Sequence, residues 1–259
     1  MQLKDQVAVV TGASRGIGRA VAVALAQAGA DVTVNFYGEN REAEGVANEI
    51  RGFGRRALVA EADVSDQAAV AAMIVRTEAE LGPVSIAVTN AAFSDREPFH
   101  QAALAGFERT IDVTMWGAFY VLRECATRMI ARGKGGSIVV ISSPHAVIPV
   151  PNSMAYNMAK AAIDQMARTA AIELVDHRIR VNLVYPGWTD TPGERKFTGE
   201  AQLQAAAAKL PWKRLCRPEE IARGVVFLCD PASDYITGTT LTIDGGIMLP
   251  WWARETVAG

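Results

Sequence analysis

Short apolar runs alternate along this chain with longer stretches rich in alanine. The runs are predicted to be β-strands, at residues 7–10, 32–36, 57–60, 86–89, 137–141, 180–184 and 240–243. The longer stretches carry apolar residues at helical spacing and predict helices at 17–29, 39–53, 68–81, 116–131, 156–175 and 219–229. Because the strand runs are almost wholly apolar, we expect helices on both faces of a parallel sheet. The pattern therefore predicts an α/β fold with a doubly wound parallel sheet of about seven strands.

One domain is expected over residues 1–259, because no repeat, low-complexity tract or long linker divides the chain. A chain of this length buries roughly 75% of its unfolded surface around one core. The irregular stretch 187–217, interrupted by glycine and proline, is predicted to be a substrate-binding lid. Residues 247–259 are predicted to form a C-terminal tail, and its apolar segment 249–252 needs burial.

Composition excludes several classes of protein. The chain carries 26 Lys+Arg against 28 Asp+Glu, a net charge of −2, which argues against a nucleic-acid partner. No uncharged stretch is fit to span a membrane, and no signal peptide is recognised at the start, so a cytoplasmic protein is expected. The three cysteines and three histidines are too scattered to predict a disulfide or a metal site.

A glycine-rich loop joins the first predicted strand to the first predicted helix. Gly12, Gly16 and Gly18 let the backbone turn tightly and approach a ligand closely. The helix start that follows offers unpaired N–H groups and a partial positive charge. Ser14, Arg15 and Ile17 complete the loop. This strand–turn–helix arrangement predicts a site for a pyrophosphate.

A second group of residues indicates proton transfer. Tyr156 and Lys160 are four residues apart and share one face of a predicted helix, and Ser143 follows a predicted strand. A phenol with an ordinary pKa of about 10 is a poor base at neutral pH, whereas a nearby ammonium favours its ionised form. Tyr156 is therefore the candidate general acid/base, with Lys160 lowering its pKa and Ser143 stabilising charge on a substrate oxygen.

Both motifs resemble the short-chain dehydrogenase/reductase family, and the resemblance covers nearly the whole chain. It implies a Rossmann-type fold, hydride transfer with a nicotinamide cofactor, and contact of Lys160 with the nicotinamide ribose. Asp63-Val64 matches the adenine-contacting pair, and Asp244-Gly245-Gly246 matches the closing strand and turn. The remaining cofactor contacts that it implies are Asn90, Ala91 and Ala92 after the fourth strand, and Pro186, Gly187, Thr189 and Thr191 beside the nicotinamide.

Two positions depart from the family pattern. Ala92 replaces the usual glycine, which is expected to restrict the backbone near the cofactor. Thr114 stands where the family has an asparagine that helps to hold a water molecule joined to the lysine. Threonine keeps a hydroxyl but lacks the amide, so Thr114 is predicted to weaken or reroute the proton relay without abolishing catalysis.

Cofactor preference is predicted from the end of the second strand. Phe36 occupies the place of the acid in NAD-preferring relatives, and Tyr37 that of the arginine common in NADP-preferring ones. Arg15 can reach a 2′-phosphate, and no acid directly opposes it, although Glu39 is near. NADP(H) is therefore favoured, and NAD(H) is the alternative.

The substrate side offers Ser94, His145 and Trp188 as candidate contacts, with His145 able to donate a hydrogen bond. The chain looks most like the glucose 1-dehydrogenase branch, which implies a sugar or polyol and a homotetramer or homodimer. The alternatives are a 3-oxoacyl-acyl-carrier-protein reductase or other ketone reductase, for which Arg128, Arg132 and Lys134 would form a basic patch, and a cofactor sensor without catalysis.

Overall fold

The computed structural model describes residues 3–38 and 41–253. Within these ranges the strands form one parallel sheet in the order β3-β2-β1-β4-β5-β6-β7. The strands are β1 (Val7–Val10), β2 (Asp31–Phe36), β3 (Ala57–Glu61), β4 (Ile86–Thr89), β5 (Gly136–Ile141), β6 (Ile179–Pro186) and β7 (Thr240–Ile243). The predicted doubly wound sheet of seven strands is confirmed.

Helices cover both faces of this sheet. They are α1 (Gly16–Gln27), α2 (Arg41–Gly52), α3 (Gln67–Glu80), α4 (Leu104–Ile111), α5 (Gly117–Arg132), α6 (Met154–Glu173), α7 (Glu200–Ala207) and α8 (Pro218–Cys229). A π-helical segment at Asp112–Trp116 joins α4 to α5. Neither α4 nor the π-helical segment was predicted from the sequence.

Two buried clusters, one on each face, form the core. Alternate residues of a strand point to opposite faces, so Val9 packs with the cluster of α3, α5 and α6, and Val10 packs with that of α1, α2 and α8. All four residues of β1 are buried. Burial on both faces explains why the strand sequences are continuously apolar.

The strand order reverses between β1 and β4, which are neighbours in the sheet but far apart in sequence. In open α/β sheets, ligands bind beyond the carboxyl ends of the strands at such a switch point. The glycine-rich loop follows β1, Asn90 follows β4, and Ser143 follows β5. The fold therefore brings the predicted motifs to one edge of the sheet.

The segment 187–217, predicted as a lid, contains a short helical turn at Glu194–Lys196 and helix α7. It has a small apolar cluster of its own, in which Leu203, Ala207 and Leu215 are buried. Thr189 and Cys216 form an isolated parallel bridge at the base of this segment. Its role as a lid stays a prediction.

The predicted C-terminal tail is described as far as residue 253. It ends in a helical turn at Trp251–Ala253, in which the two tryptophan rings meet edge to face. Trp252 is 60% exposed and Leu249 is 65% exposed. The last six residues of the tail lie outside the described residues. So does the start of the helix predicted at 39–53, including Glu39. None of the described helices is long and apolar enough to cross a membrane.

Candidate active site

The glycine-rich loop has the shape of a phosphate cradle. Gly12 adopts a φ of +60°, in the left-handed region that favours glycine. A Cβ on Gly18 would lie 2.2 Å from the Gly12 carbonyl oxygen, so a side chain is excluded there. No side chain among the described residues caps the start of α1. The free N–H groups of that helix end and the close backbone fit a pyrophosphate.

Asn90 holds the glycine-rich loop beside the end of β4 through hydrogen bonds. Its Nδ2 donates to the carbonyls of Thr11 at 2.9 Å and Gly12 at 3.2 Å. The Thr11 hydroxyl accepts in turn from the backbone N–H groups of Asn90 and Ala91. Ala92 is exposed and does not adopt a positive φ, so alanine at this position causes no backbone strain. That Ala92 restricts the backbone near the cofactor stays a prediction.

Ser143, Tyr156 and Lys160 come together beyond β5. Ser143 begins a short helical turn, in which its hydroxyl accepts from the His145 N–H at 3.2 Å, and it lowers the pKa of Tyr156. Lys160 is only 2% exposed, and its Nζ lies 5.2 Å from the centre of the Tyr156 ring. The same Nζ donates to the Ile141 carbonyl oxygen at 2.8 Å. The helical spacing of Tyr156 and Lys160 thus places a phenol and an ammonium side by side, as predicted.

The acid–base properties of this group differ from the prediction in one respect. Burial raises the pKa of Tyr156 above its usual range, and the charge of Glu194 raises it further, whereas Arg96 and Ser143 lower it. The net shift of the Tyr156 pKa is upward, opposite to the predicted direction, because burial dominates it. Burial lowers the pKa of Lys160 to about 8, against a raising effect from Asp164.

His145 stands beside the Tyr156 ring, edge to face, with the ring centres 5.2 Å apart. Its Nδ1 lies 2.8 Å from Oδ1 of Asn157, whose Nδ2 donates to the Val150 carbonyl. Asn157 Oδ1 can only accept, so Nδ1 of His145 carries the proton and Nε2 is an acceptor. Burial lowers the pKa of His145, which favours the neutral ring. The neutral ring therefore offers an acceptor at Nε2 and not the donor expected from the sequence, and contact of His145 with the substrate stays a prediction.

Thr114 occupies the middle of the π-helical segment and is 1% exposed. Its hydroxyl accepts from the Phe93 N–H at 3.0 Å and donates to the Phe93 carbonyl at 2.9 Å. One turn of π-helix inside a longer helix is common at functional sites. Thr114 thereby ties this turn to the loop that follows Asn90.

The predicted adenosine side lies at the ends of β2 and β3. Phe36 is buried in the core, whereas Tyr37 is 67% exposed, with the Arg109 guanidinium 5.9 Å from its ring centre. Arg15 is exposed, and Glu42 lies 3.9 Å from it. The sequence prediction that no acid directly opposes Arg15 is therefore wrong, because α2 places Glu42 beside it.

Asp63 and Val64 are held firmly where the resemblance places an adenine contact. Burial raises the pKa of Asp63, but hydrogen bonds from Ser65 and Arg109 outweigh it, so the pKa lies below its usual value. Val64 is buried and packs against Gly117, the first residue of α5. The contact with adenine stays a prediction.

The residues predicted beside the nicotinamide follow β6. The Gly187 N–H donates to the Ile243 carbonyl at 2.9 Å, and the Thr189 hydroxyl donates to the Gly187 carbonyl at 2.8 Å. Pro186 closes β6 and is buried. Thr191 lies against Gly16, where an added Cβ would come within 3.3 Å of the threonine methyl. The segment after β6 therefore meets the glycine-rich loop.

A charged and aromatic group that the sequence reasoning missed forms the mouth of the site. Arg96 lies 3.3 Å from both carboxylate oxygens of Glu194, and its guanidinium is 4.1 Å from the centre of the Phe197 ring. Trp188 Nε1 donates to Glu194 at 3.0 Å. Ser94, a predicted substrate contact, is half-buried in the same loop as Arg96. No local sequence pattern joins Arg96 to Glu194, because they are 98 residues apart.

The two arginines of the basic patch considered for an acyl-carrier partner already bind groups within the chain. Arg128 forms ion pairs with Glu78 and Glu124, both at 3.0 Å. Arg132 donates to the Gly135 carbonyl at 2.5 Å. Lys134 is exposed in the turn that follows α5. In the part of the chain that is described, no three His, Cys, Asp or Glu residues are grouped to hold a metal ion.

The chain is similar to known proteins over nearly its full length. A profile of the family described as enoyl-(acyl carrier protein) reductase matches residues 12–248. The cis-4-hydroxycyclohexanecarboxylate dehydrogenase of Sinomonas cyclohexanicum is 37% identical over 243 residues, 93% of this chain and 96% of that protein. The L-rhamnose 1-dehydrogenase (NAD(P)(+)) of Sphingomonas sp. (strain SKA58) is 33% identical over 246 residues, 95% of this chain and 97% of that protein.

The fold is also that of solved structures. The crystal structure of a short-chain type dehydrogenase/reductase from Mycobacterium marinum matches with a TM-score of 0.90 and 35% sequence identity. The match covers 96% of this chain and 98% of that one.

Proposed function

The chain belongs to the short-chain dehydrogenase/reductase family and is an NAD(P)-dependent oxidoreductase. From this premise we propose that it acts on a sugar or polyol, and interconverts either a secondary alcohol with a ketone or the cyclic hemiacetal of a sugar with a lactone. The observation that carries the proposal is the convergence of Ser143, Tyr156 and Lys160 beyond β5. The cofactor, when bound, supplies or accepts the hydride. The glycine-rich loop and the free end of α1 would hold its pyrophosphate.

The protein's own residues move and hold the proton. Tyr156 would take the hydroxyl proton of an alcohol, or return it to the oxygen of a carbonyl. Ser143 would hydrogen-bond to the same oxygen and stabilise the charge that develops there. Lys160 would bind the nicotinamide ribose with its ammonium. Thr114 would keep the π-helical turn and the loop at Phe93 in place beside these groups.

Support for a polyhydroxylated substrate comes from the acceptors at the mouth. His145 presents Nε2 as an acceptor, and Glu194 presents a carboxylate held by Arg96 and Trp188. Acceptors of this kind bind hydroxyl groups next to the one that reacts. Similarity to an L-rhamnose 1-dehydrogenase and to a dehydrogenase of a hydroxylated ring acid supports the same class.

We propose NADP(H) as the preferred cofactor and NAD(H) as an alternative. Support comes from the absence of an acid at Phe36 and Tyr37 among the described residues and from the exposure of Arg15. Glu42 partly neutralises Arg15, so the preference is expected to be modest.

The assembly is proposed to be a cytoplasmic homotetramer or homodimer. The support is an exposed aromatic group on the π-helical turn and α5, where Trp116 stacks on Tyr120 and meets Phe119 edge to face. Ile172 on α6 is exposed as well. Light scattering on the purified chain tests the assembly.

The decisive experiment follows reduced nicotinamide with a panel of sugars, polyols and simple alcohols, each with both cofactors. Tyr156→Phe is the control, because it keeps the ring and removes only the hydroxyl. We expect turnover with a sugar or polyol and a loss of about 10²–10⁴-fold in the variant. Cofactor binding without turnover of any substrate would instead indicate a sensor.

A further inference from the structure

Asp164 is a buried carboxylate on α6, one turn beyond Lys160, and only 3% of it is exposed. Three donors converge on it. The Ser142 hydroxyl donates to Oδ1 and the Tyr185 phenol donates to Oδ2. The Arg168 guanidinium lies 3.4 Å from Oδ2. A site made of two hydroxyl donors and a cation fits an ionised carboxylate, which only accepts hydrogen bonds.

Two of these donors lie at the ends of neighbouring strands, and the third lies on α6 itself. Ser142 immediately precedes Ser143 at the end of β5. Tyr185 lies in β6, two residues before Gly187, where the predicted nicotinamide contacts begin. Arg168 also donates to the Thr240 hydroxyl in β7, at 3.3 Å. Asp164 therefore joins the ends of two strands to the helix that carries Lys160.

The charge of Asp164 also acts on Lys160. The two residues are four apart on α6, and the negative charge of Asp164 raises the pKa of Lys160 against the lowering caused by burial. Burial and the hydrogen bond to Asp164 raise the pKa of Tyr185 to about 12, so that phenol remains a donor. The charged or titratable groups that face Asp164 are thus Lys160 and Arg168 from α6 and Tyr185 from β6.

We propose that Asp164 is a positioning residue of the reaction, which holds the strand ends carrying Ser143 and Gly187 against α6 and supplies the negative charge that faces Lys160. The proposal rests on the proposed function of Ser143, Tyr156 and Lys160. It assigns a role in catalysis to a carboxylate that is proposed to contact neither the cofactor nor the substrate.

The test is Asp164→Asn, which keeps the shape and one acceptor but removes the charge. Lys160 then loses its proton at a lower pH, so the alkaline limb of the kcat profile is expected to move down by about one pH unit. At pH ~8.5, kcat should fall about tenfold, and at pH ~6.5 by less than about threefold. Asp164→Glu restores the charge and should return the limb to its wild-type position.

Two matched variants separate the effect of the Asp164 charge from the effect of its hydrogen bonds to Ser142 and Tyr185. Tyr185→Phe and Ser142→Ala each remove one hydrogen bond and leave the carboxylate in place. They are expected to lower kcat or raise the cofactor KM while the alkaline limb stays in its wild-type position. Should Asp164→Asn fail to fold, Tyr185→Phe and Ser142→Ala decide, and wild-type kcat and cofactor KM in both of these variants overturn the proposal.

A purely structural role would give a different result. Asp164→Asn would then lower the melting temperature and leave the alkaline limb unmoved, and that outcome overturns the proposal. Calorimetric titration with the cofactor alone gives a readout that does not need turnover. If the wild-type chain oxidises no alcohol, the proposed function fails, whereas the pH dependence of cofactor affinity in Asp164→Asn still tests the role of Asp164.

Discussion

The Thr114 hydroxyl and the Phe93 peptide form a reciprocal pair of hydrogen bonds, since Thr114 accepts from the Phe93 N–H and donates to its carbonyl. The single hydroxyl oxygen of Thr114, at the buried π-helical turn, thus satisfies both backbone polar groups of Phe93. The asparagine that the family carries here has a separate donor and acceptor. Thr114 can therefore replace its connection to the loop, but with one atom in place of two.

The first prediction concerns this position. Thr114→Val is nearly isosteric and leaves both Phe93 groups unpaired, so it should destabilise the chain by about 1–3 kcal/mol and reduce kcat. Thr114→Asn should raise turnover, because the amide restores a separate donor and acceptor. Urea denaturation and steady-state kinetics measure the two effects. An unchanged or reduced rate in Thr114→Asn would count against a weakened proton relay.

Lys160 predicts a pH dependence of cofactor binding. Its pKa is about 8, so the ammonium is present below that pH and is lost as the pH rises through it. Because charge-assisted hydrogen bonds are the stronger ones, cofactor affinity should weaken about tenfold between pH ~7 and ~9.5. Fluorescence titration of the chain with reduced cofactor measures this. Lys160→Met should bind weakly at every pH, and a flat wild-type profile would contradict the prediction.

Much of the fold follows from local sequence, and the site only in part. The limits of β1 and β4 agree with those predicted, because a buried parallel strand needs a continuous apolar run. The π-helical turn at 112–116 has no such local signal, and the hydrogen-bond partner of its Thr114 is Phe93, 21 residues away. A local sequence pattern likewise cannot predict the pairing of Arg96 with Glu194, because these residues are 98 positions apart.

Removing the charge of Glu194 and removing that of Arg96 are predicted to shift the pKa of Tyr156 in opposite directions. Glu194 raises the pKa of Tyr156 and Arg96 lowers it. Glu194→Gln should therefore move the acidic limb of alcohol oxidation to lower pH, and Arg96→Gln should move it to higher pH. Each shift is expected to be about 0.3–1 pH unit. Profiles of kcat/KM against pH test this, and shifts of the same sign in both variants would sink the interpretation.

The acceptor at His145 predicts a selective effect on substrate binding. His145→Phe keeps an aromatic ring beside Tyr156 but removes Nε2, so KM for a polyol should rise about tenfold. A simple secondary alcohol without a second hydroxyl serves as the control and should be unaffected. Equal losses for both substrates would indicate that His145 only supports Tyr156 through their edge-to-face contact.

Glu220 predicts an acid-dependent contribution to stability where the predicted lid joins α8. Its carboxylate accepts from Arg214 at 2.7 Å and from the Arg217 N–H at 2.8 Å, and these bonds lower its pKa to about 2. A carboxyl whose pKa is lowered in the folded state stabilises above its unfolded pKa and loses this contribution as the pH falls. Glu220→Gln should therefore cost about 1 kcal/mol at pH ~7.

The cost should shrink between pH ~4.5 and ~2, the interval between the ordinary and the folded pKa of Glu220. Urea denaturation of the wild type and the variant across this range measures the difference in the free energy of unfolding. Glu219→Gln is the matched control, because Glu219 is exposed on the same first turn of α8. A cost that stays constant with pH, or equals that of Glu219→Gln, would show that the ion pair with Arg214 does not stabilise this junction.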